Sequence, residues 1–278
     1  MAKTIFSLEV FPPKRDDGIE NIYAPLRGLC AINPDFISVT CSAGGSAEGL
    51  TVEVCDYIRR EYDVPAVAHL TCAGSDRATI KRTLSDLRTR GIDQILALRG
   101  DLAEGRTLTD YRHATDLISD VVSFGGFSVM AACYPEGHKE SARFSDDLDV
   151  MKRKEDLGAT HFLSQLFFDE RDFLHMLEGA RKHGVTSPIE AGIMPVTNAK
   201  QIVRMVQLSG AKIPEGLAKR IARYEYDPEG MRRAGIEYVV EMSRRLLAEG
   251  VDGLHLYAMN NADTAKAFFE GVRTELGR

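Results

Sequence analysis

Glu9 stands in the apolar run 5–10, flanked by Leu8 and Val10. An unpaired carboxylate is costly in such a strand. Two readings follow: half of a buried ion pair, with Arg99 as candidate partner, or a desolvated carboxylic acid that keeps its proton for a substrate. Other chemistry-bearing residues sit at or near the ends of apolar runs in the same way: Thr40, His69, Arg99-Gly100-Asp101, Tyr134-Pro135-Glu136-Gly137-His138, Gln165, His255 and Tyr257. Each alone has an ordinary reading, such as a helix cap for Asp101, a satisfied core histidine for His69 or a backbone hydrogen bond for Gln165. Lys152-Arg153-Lys154, with His138 and Lys139 upstream, suits a diphosphate or simply a solvated helix face. What sets these residues apart is where they would meet.

That place is defined by the elements that carry them. Eight short apolar runs, at 5–10, 36–40, 66–70, 94–98, 127–133, 161–167, 189–193 and 254–257, alternate with stretches of helical period. In 76–90, Ile80, Leu84 and Leu87 share one face, with Ser75 or Asp76 placed to cap the start; in 171–183, Phe173, Leu174, Leu177 and Ala180 do the same. Gly91, Gly158, Gly184 and Gly250 each stand where a helix should stop before a strand begins. Eight strand–helix units are expected to form an α/β fold, a (β/α)8 TIM barrel, with an open doubly wound sheet as the alternative. The stretch between Ile193 and Leu254 exceeds one helix, which predicts extra helices between strands 7 and 8. In a barrel the residues named above gather on the face formed by the carboxyl ends of the strands, where such folds carry their chemistry.

Composition bounds the rest. The chain has 278 residues, 44% of them hydrophobic, which fits a single barrel domain over 1–278 and excludes disorder. A net charge of −6 argues against nucleic-acid or anionic-membrane binding. No apolar stretch approaches the ~20 residues of a membrane span, and the start lacks a signal peptide's apolar region, so a cytoplasmic protein is expected. The five cysteines are scattered without CxxC spacing, which disfavours both a disulfide framework and a zinc site. Absence of GxGxxG after the first run, GxxxxGK[ST], HExxH and GxSxG disfavours a Rossmann site, a P-loop, a zincin and an α/β-hydrolase.

Seven segments in order resemble the methylenetetrahydrofolate reductase family over nearly the whole chain: Leu8-Glu9-Val10-Phe11-Pro12-Pro13-Lys14, Pro34-Asp35-Phe36-Ile37-Ser38-Val39-Thr40, His69-Leu70-Thr71-Cys72, Leu96-Ala97-Leu98-Arg99-Gly100-Asp101, Tyr134-Pro135-Glu136, Gln165-Leu166-Phe167-Phe168-Asp169 and Gly192-Ile193-Met194-Pro195-Val196. The resemblance implies a flavin-dependent oxidoreductase of folate one-carbon metabolism and methionine biosynthesis, with FAD as cofactor and 5,10-methylenetetrahydrofolate and 5-methyltetrahydrofolate as substrate and product. It implies Glu9 as general acid and Asp101 as the aspartate beside flavin and pterin. Gln165 becomes the pterin-binding amide, with Tyr257 also at the substrate. Thr40, His69, Arg99, Gly100, Tyr134 and His138 fall on flavin positions, and Asp147, Arg153 and Lys154 on the helix that holds the FAD ribose and diphosphate.

Four departures from the family pattern stand out. Ala199 replaces a phenylalanine on which NADH stacks, Cys41 a tyrosine, Val150 an asparagine, and Asn261 an arginine in Ala258-Met259-Asn260-Asn261. The folate half is left intact; the electron donor is open between NAD(P)H and a partner protein. No C-terminal regulatory domain is expected after the barrel. The alternatives are a non-redox folate-binding barrel, such as a methyltransferase or lyase, and a subunit of a multi-enzyme complex. Oligomeric state is left open.

Overall fold

A computed structural model describes residues 3–13, 18–41, 47–101 and 109–278. Lys14, the last residue of the first family-like segment, lies outside the described residues. The element order is β1 (Ile5–Val10), α1 (Glu20–Cys30), β2 (Phe36–Val39), α2 (Ala47–Tyr62), β3 (Ala66–Thr71), α3 (Arg77–Thr89), β4 (Gln94–Leu98), α4 (Ala114–Phe124), β5 (Ser128–Cys133), α5 (Phe144–Asp156), β6 (Ala159–Ser164), α6 (Glu170–Lys182), β7 (Ile189–Ile193), α7 (Ala199–Ser209), α8 (Glu215–Arg223), α9 (Pro228–Ala248), β8 (Gly253–Tyr257) and α10 (Ala262–Val272). All strands pair in parallel in chain order, and β8 returns to β1 to close the barrel. The open-sheet alternative is thereby excluded, and α7 to α9 are the extra helices expected between strands 7 and 8.

Local chemistry sets the ends of these elements. The Asp76 side chain accepts from the Thr79 N–H and starts α3; Asp169, Asn198, Asp227 and Asn261 do likewise for α6, α7, α9 and α10. Gly91, Gly158, Gly184 and Gly250 take φ values of 69°, 110°, 80° and 76°. The apolar residue after each is buried (Ile92, Ala159, Val185, Val251), so each helix stop drives the chain into the core. The sixth strand differs from expectation, running Ala159–Ser164 rather than 161–167. There Ser164 Oγ donates to the Gln165 carbonyl and Gln165 Oε1 accepts from the Leu166 N–H, turning the chain out of the ladder. The apolar residues that follow stay buried for another reason: Phe167 stacks on Phe173 of α6 and Phe168 joins a cluster beneath α7 and α8.

The main core lies between the sheet and the helix ring. A smaller apolar cluster fills the barrel itself, with Phe36, Val67, Leu96, Met130 and Leu163 from β2 to β6. The other side of the barrel interior, from β6, β7, β8 and β1, is polar: His161, Glu190, His255, Ser7 and Glu9, none more than 9% exposed. That asymmetry carries the site.

Candidate active site

A cavity of about 660 Å³ opens at the carboxyl ends of the strands. This is within the range of small-molecule sites. Ten of the thirteen residues expected at the site line it: Glu9, Thr40, His69, Arg99, Gly100, Asp101, Tyr134, His138, Gln165 and Tyr257. They come from seven strands or the loops that follow them, and only barrel closure brings them together.

Glu9 lies deep within it, 7% exposed. Its Oε2 faces two imidazoles, His69 Nε2 at 3.5 Å and His255 Nε2 at 3.7 Å. Both nitrogens are buried, and neither has a hydrogen-bond partner among the described residues. Burial pushes the His69 imidazole down to about 4, against the smaller opposing pull of Glu9, so the ring is neutral at physiological pH. The expected partner, Arg99, is engaged elsewhere. Its guanidinium makes a fork to Glu140, 2.6 and 2.8 Å, and holds that carboxyl down at about 2. The Glu9–Arg99 ion pair is therefore corrected: β1 and β4 are separated by β2 and β3 around the barrel, and Arg99 turns toward the β5 loop.

Of the remaining candidates, Asp101 is 83% exposed and lies 3.8 Å from Lys139 Nζ, at the edge of the cavity. Gln165 uses Oε1 on its neighbour's N–H, which leaves its amide N–H groups available to acceptors on a ligand. Tyr257 donates its hydroxyl to the Ser164 carbonyl at 2.7 Å and sets its ring edge-on to His255; burial raises its pKa well above the usual phenol value. It therefore presents a ring, not a free hydroxyl. Tyr134, pushed up to about 12 by burial, stacks edge-on with His138.

Asp147, Arg153 and Lys154 do not line the cavity. Asp147 is buried and accepts from the His138 N–H and the Ser141 hydroxyl, shaping the loop between β5 and α5. Lys154 is buried too; its Nζ donates to the Ala132 carbonyl at 2.7 Å and its pKa is lowered by burial. Arg153 points outward, exposed. Of the departures, Asn261 caps α10, and its neighbour Asn260 holds the Phe11 backbone through both N–H and carbonyl. Val150 is simply exposed.

Sequence reasoning missed Ser7, Glu190 and His161, which extend the polar side of the interior below Glu9. Their signal was the period-2 alternation of the strands, in which a Ser, Glu or His at an inward position of a central strand is out of place. Glu140, the true partner of Arg99, carried no such mark.

The fold and the cavity define a (β/α)8 protein with acid–base groups grouped at its catalytic face. Comparison with known proteins narrows this. The family model for methylenetetrahydrofolate reductase matches residues 1–272. A methylenetetrahydrofolate reductase (NADH) of Arabidopsis thaliana is 34% identical over 93% of this chain, and the chain spans about half (46%) of that relative's length. The 5,10-methylenetetrahydrofolate reductases of Pectobacterium carotovorum and Escherichia coli are 31% and 30% identical, over 98% and 97% of this chain and 92% of each relative. In shape, a Clostridium thermocellum protein described as binding two copies of 5-methyl-5,6,7,8-tetrahydrofolic acid superposes with a TM-score of 0.71 at 14% identity, over 99% of this chain and 95% of that one. The chain belongs to the methylenetetrahydrofolate reductase family.

Proposed function

We propose that this chain reduces 5,10-methylenetetrahydrofolate to 5-methyltetrahydrofolate, with FAD as cofactor and Glu9 as general acid. The observation that carries the reading is the buried Glu9 carboxyl at the bottom of a cavity that also holds Asp101 and Gln165. The cavity suits a bound heterocycle: two buried imidazole nitrogens aimed at Glu9 lack partners, so a polar ligand has groups to meet there. Arg99, His138, Tyr134, Thr40 and the Gly100 backbone are the residues that would hold FAD, which when bound and reduced would supply hydride to the folate methylene carbon. Asp147 and Lys154 support that site from behind, by fixing the His138 loop and the end of β5.

Glu9 gives its proton to the methylene-folate nitrogen, which opens the five-membered ring to an electrophilic iminium. Asp101 places negative charge at the cavity edge, where it stabilises that cation. The Gln165 amide donates to the pterin edge, and the Tyr257 ring walls the pterin on the side of β8.

The donor that reloads the cofactor is NAD(P)H or a partner protein. Ala199 opens α7 and packs against the cluster beneath it, so no aromatic surface stands at that position for a nicotinamide. Ala199→Phe should raise the rate of cofactor reduction by NADH; an unchanged rate assigns the electrons to another donor.

The direct test is anaerobic. Purified protein, reconstituted with FAD, should lose its flavin absorbance on adding 5-methyltetrahydrofolate. After dithionite reduction it should regain that absorbance on adding the methylene form. Glu9→Gln should keep the flavin band yet slow reoxidation by the methylene form by about 10²-fold or more, the usual contribution of a positioned acid. Near-normal reoxidation in that variant removes Glu9 from the role. A protein that cannot take up FAD leaves a folate-binding barrel of another kind.

A further inference from the structure

Beneath Glu9 the polar side of the barrel forms one connected chain. Ser7 Oγ lies 2.5 Å from Glu190 Oε2 and 2.6 Å from His255 Nδ1. Glu190 is fully buried, and its other oxygen meets His161 Nε2 at 2.6 Å. A buried carboxylate needs donors on both oxygens, and here it has them. The Ser7 hydroxyl has a single proton, so it donates to Glu190 and accepts from His255. The proton it accepts is the one on Nδ1. In the neutral imidazole His255 Nε2 is then a bare lone pair, and it is this atom that faces Glu9 Oε2 at 3.7 Å without a hydrogen-bond partner among the described residues.

We propose that Glu190 is a positioning residue, which through Ser7 holds His255 in the Nδ1–H tautomer so that a bare Nε2 faces the Glu9 carboxyl group. This rests on the reading of Glu9 as the general acid. A bare nitrogen receives the O–H of a carboxylic acid. A ring presenting N–H there would stabilise the carboxylate instead, which has no proton to give. The other titratable groups around Glu9 are His69 of β3, whose Nε2 is at 3.5 Å, and Tyr257 of β8, whose hydroxyl is committed to Ser164. Neither makes a hydrogen bond to a His255 ring nitrogen among the described residues, where Nδ1 meets Ser7, so the tautomer is governed from below. Proton count decides the direction of the whole chain, and Glu190 is the member that sets it.

Ring-15N-labelled histidine in the full-length, FAD-reconstituted protein tests this by NMR, because the two ring nitrogens report which one carries hydrogen. His255 is identified by the signal lost in His255→Gln. The expected result is Nδ1–H in the unsubstituted protein. In Glu190→Gln the amide can donate to Ser7 and reverse the chain, so Nε2–H should appear. The same variant should move the alkaline limb of reoxidation by 5,10-methylenetetrahydrofolate to lower pH, with the rate above it falling on the order of tenfold per pH unit moved. Flavin content and substrate KM should stay near their original values. Ser7→Ala, a smaller change, should remove the lock and shift the limb in the same direction; it decides the matter if Glu190→Gln does not fold. Nε2–H in the unsubstituted protein overturns the proposal, as does an unmoved tautomer and limb in both variants. Glu9→Gln, measured alongside, fails or succeeds independently: normal turnover there sinks the acid reading while the His255 tautomer remains readable.

Discussion

At the residue scale the site is a problem of keeping ionisable groups in a dry place. His69 illustrates the consequence. Its folded-state pKa, about 4, lies below the ordinary 6.5. The unfolded chain therefore takes up the His69 proton first as the pH falls. Stability is complete above 6.5 and declines between 6.5 and about 4, by about 3 kcal/mol in total if this group acts alone. His69→Asn should flatten this part of the stability–pH curve in urea unfolding. An unchanged slope would mean that other groups account for the acid sensitivity. Glu140 makes the opposite contrast, since its exposed pairing with Arg99 is a surface interaction with little expected effect on stability.

At the element scale, strand ends and their loops decide where the groups point. Gly192 on β7 has no room for a side chain: a Cβ there would sit 2.3 Å from the Ser164 carbonyl and 2.9 Å from the Tyr257 ring. Since Ser164 anchors the Tyr257 hydroxyl and marks the end of β6, Gly192→Ala should push both walls of the cavity apart. We expect a loss of about 1–3 kcal/mol from overpacking and weaker folate binding, read by denaturant titration and by KM. Normal KM in that variant would show that Tyr257 does not border the substrate. The loop after β1 is fixed from β8 by the reciprocal Asn260–Phe11 hydrogen bonds, with Met259 and Asn260 both at positive φ (50° and 54°). Two left-handed residues in succession are costly unless side-chain bonds hold them, which gives Asn260 a structural reason of its own.

At the scale of the whole molecule, the ten expected residues that line the cavity come from seven strands of one closed barrel or the loops after them, so ligand binding and global folding are coupled. Adding FAD at about a hundredfold over its Kd should stabilise the protein by about 2.7 kcal/mol. Thermal melting with and without FAD checks this. A melting point that does not move, at concentrations where the flavin is taken up, would place the flavin away from the folded barrel's interior face. Among the described residues no helix is long and apolar enough to cross a membrane.

Much of this was legible in the chain alone. The eight strand–helix units, the helix stops at Gly91, Gly158, Gly184 and Gly250, the Asp76 cap and the extra helices after β7 all follow from local periodicity and turn chemistry, because those forces act over a few residues. That ten of the expected residues would gather around one cavity was legible for a related reason: each stands near, at or just after the carboxyl end of an apolar strand. Only the tertiary structure decided the pairings. Arg99 goes to Glu140 rather than Glu9, Asp147 and Lys154 turn inward to support a loop and a strand end, and Ser7, Glu190, His161 and His255 join into one chain. Those contacts join residues up to 248 positions apart in the chain. Strand periodicity says that a side chain points into the barrel; which neighbour it meets there depends on register and closure, quantities that no local stretch of sequence contains.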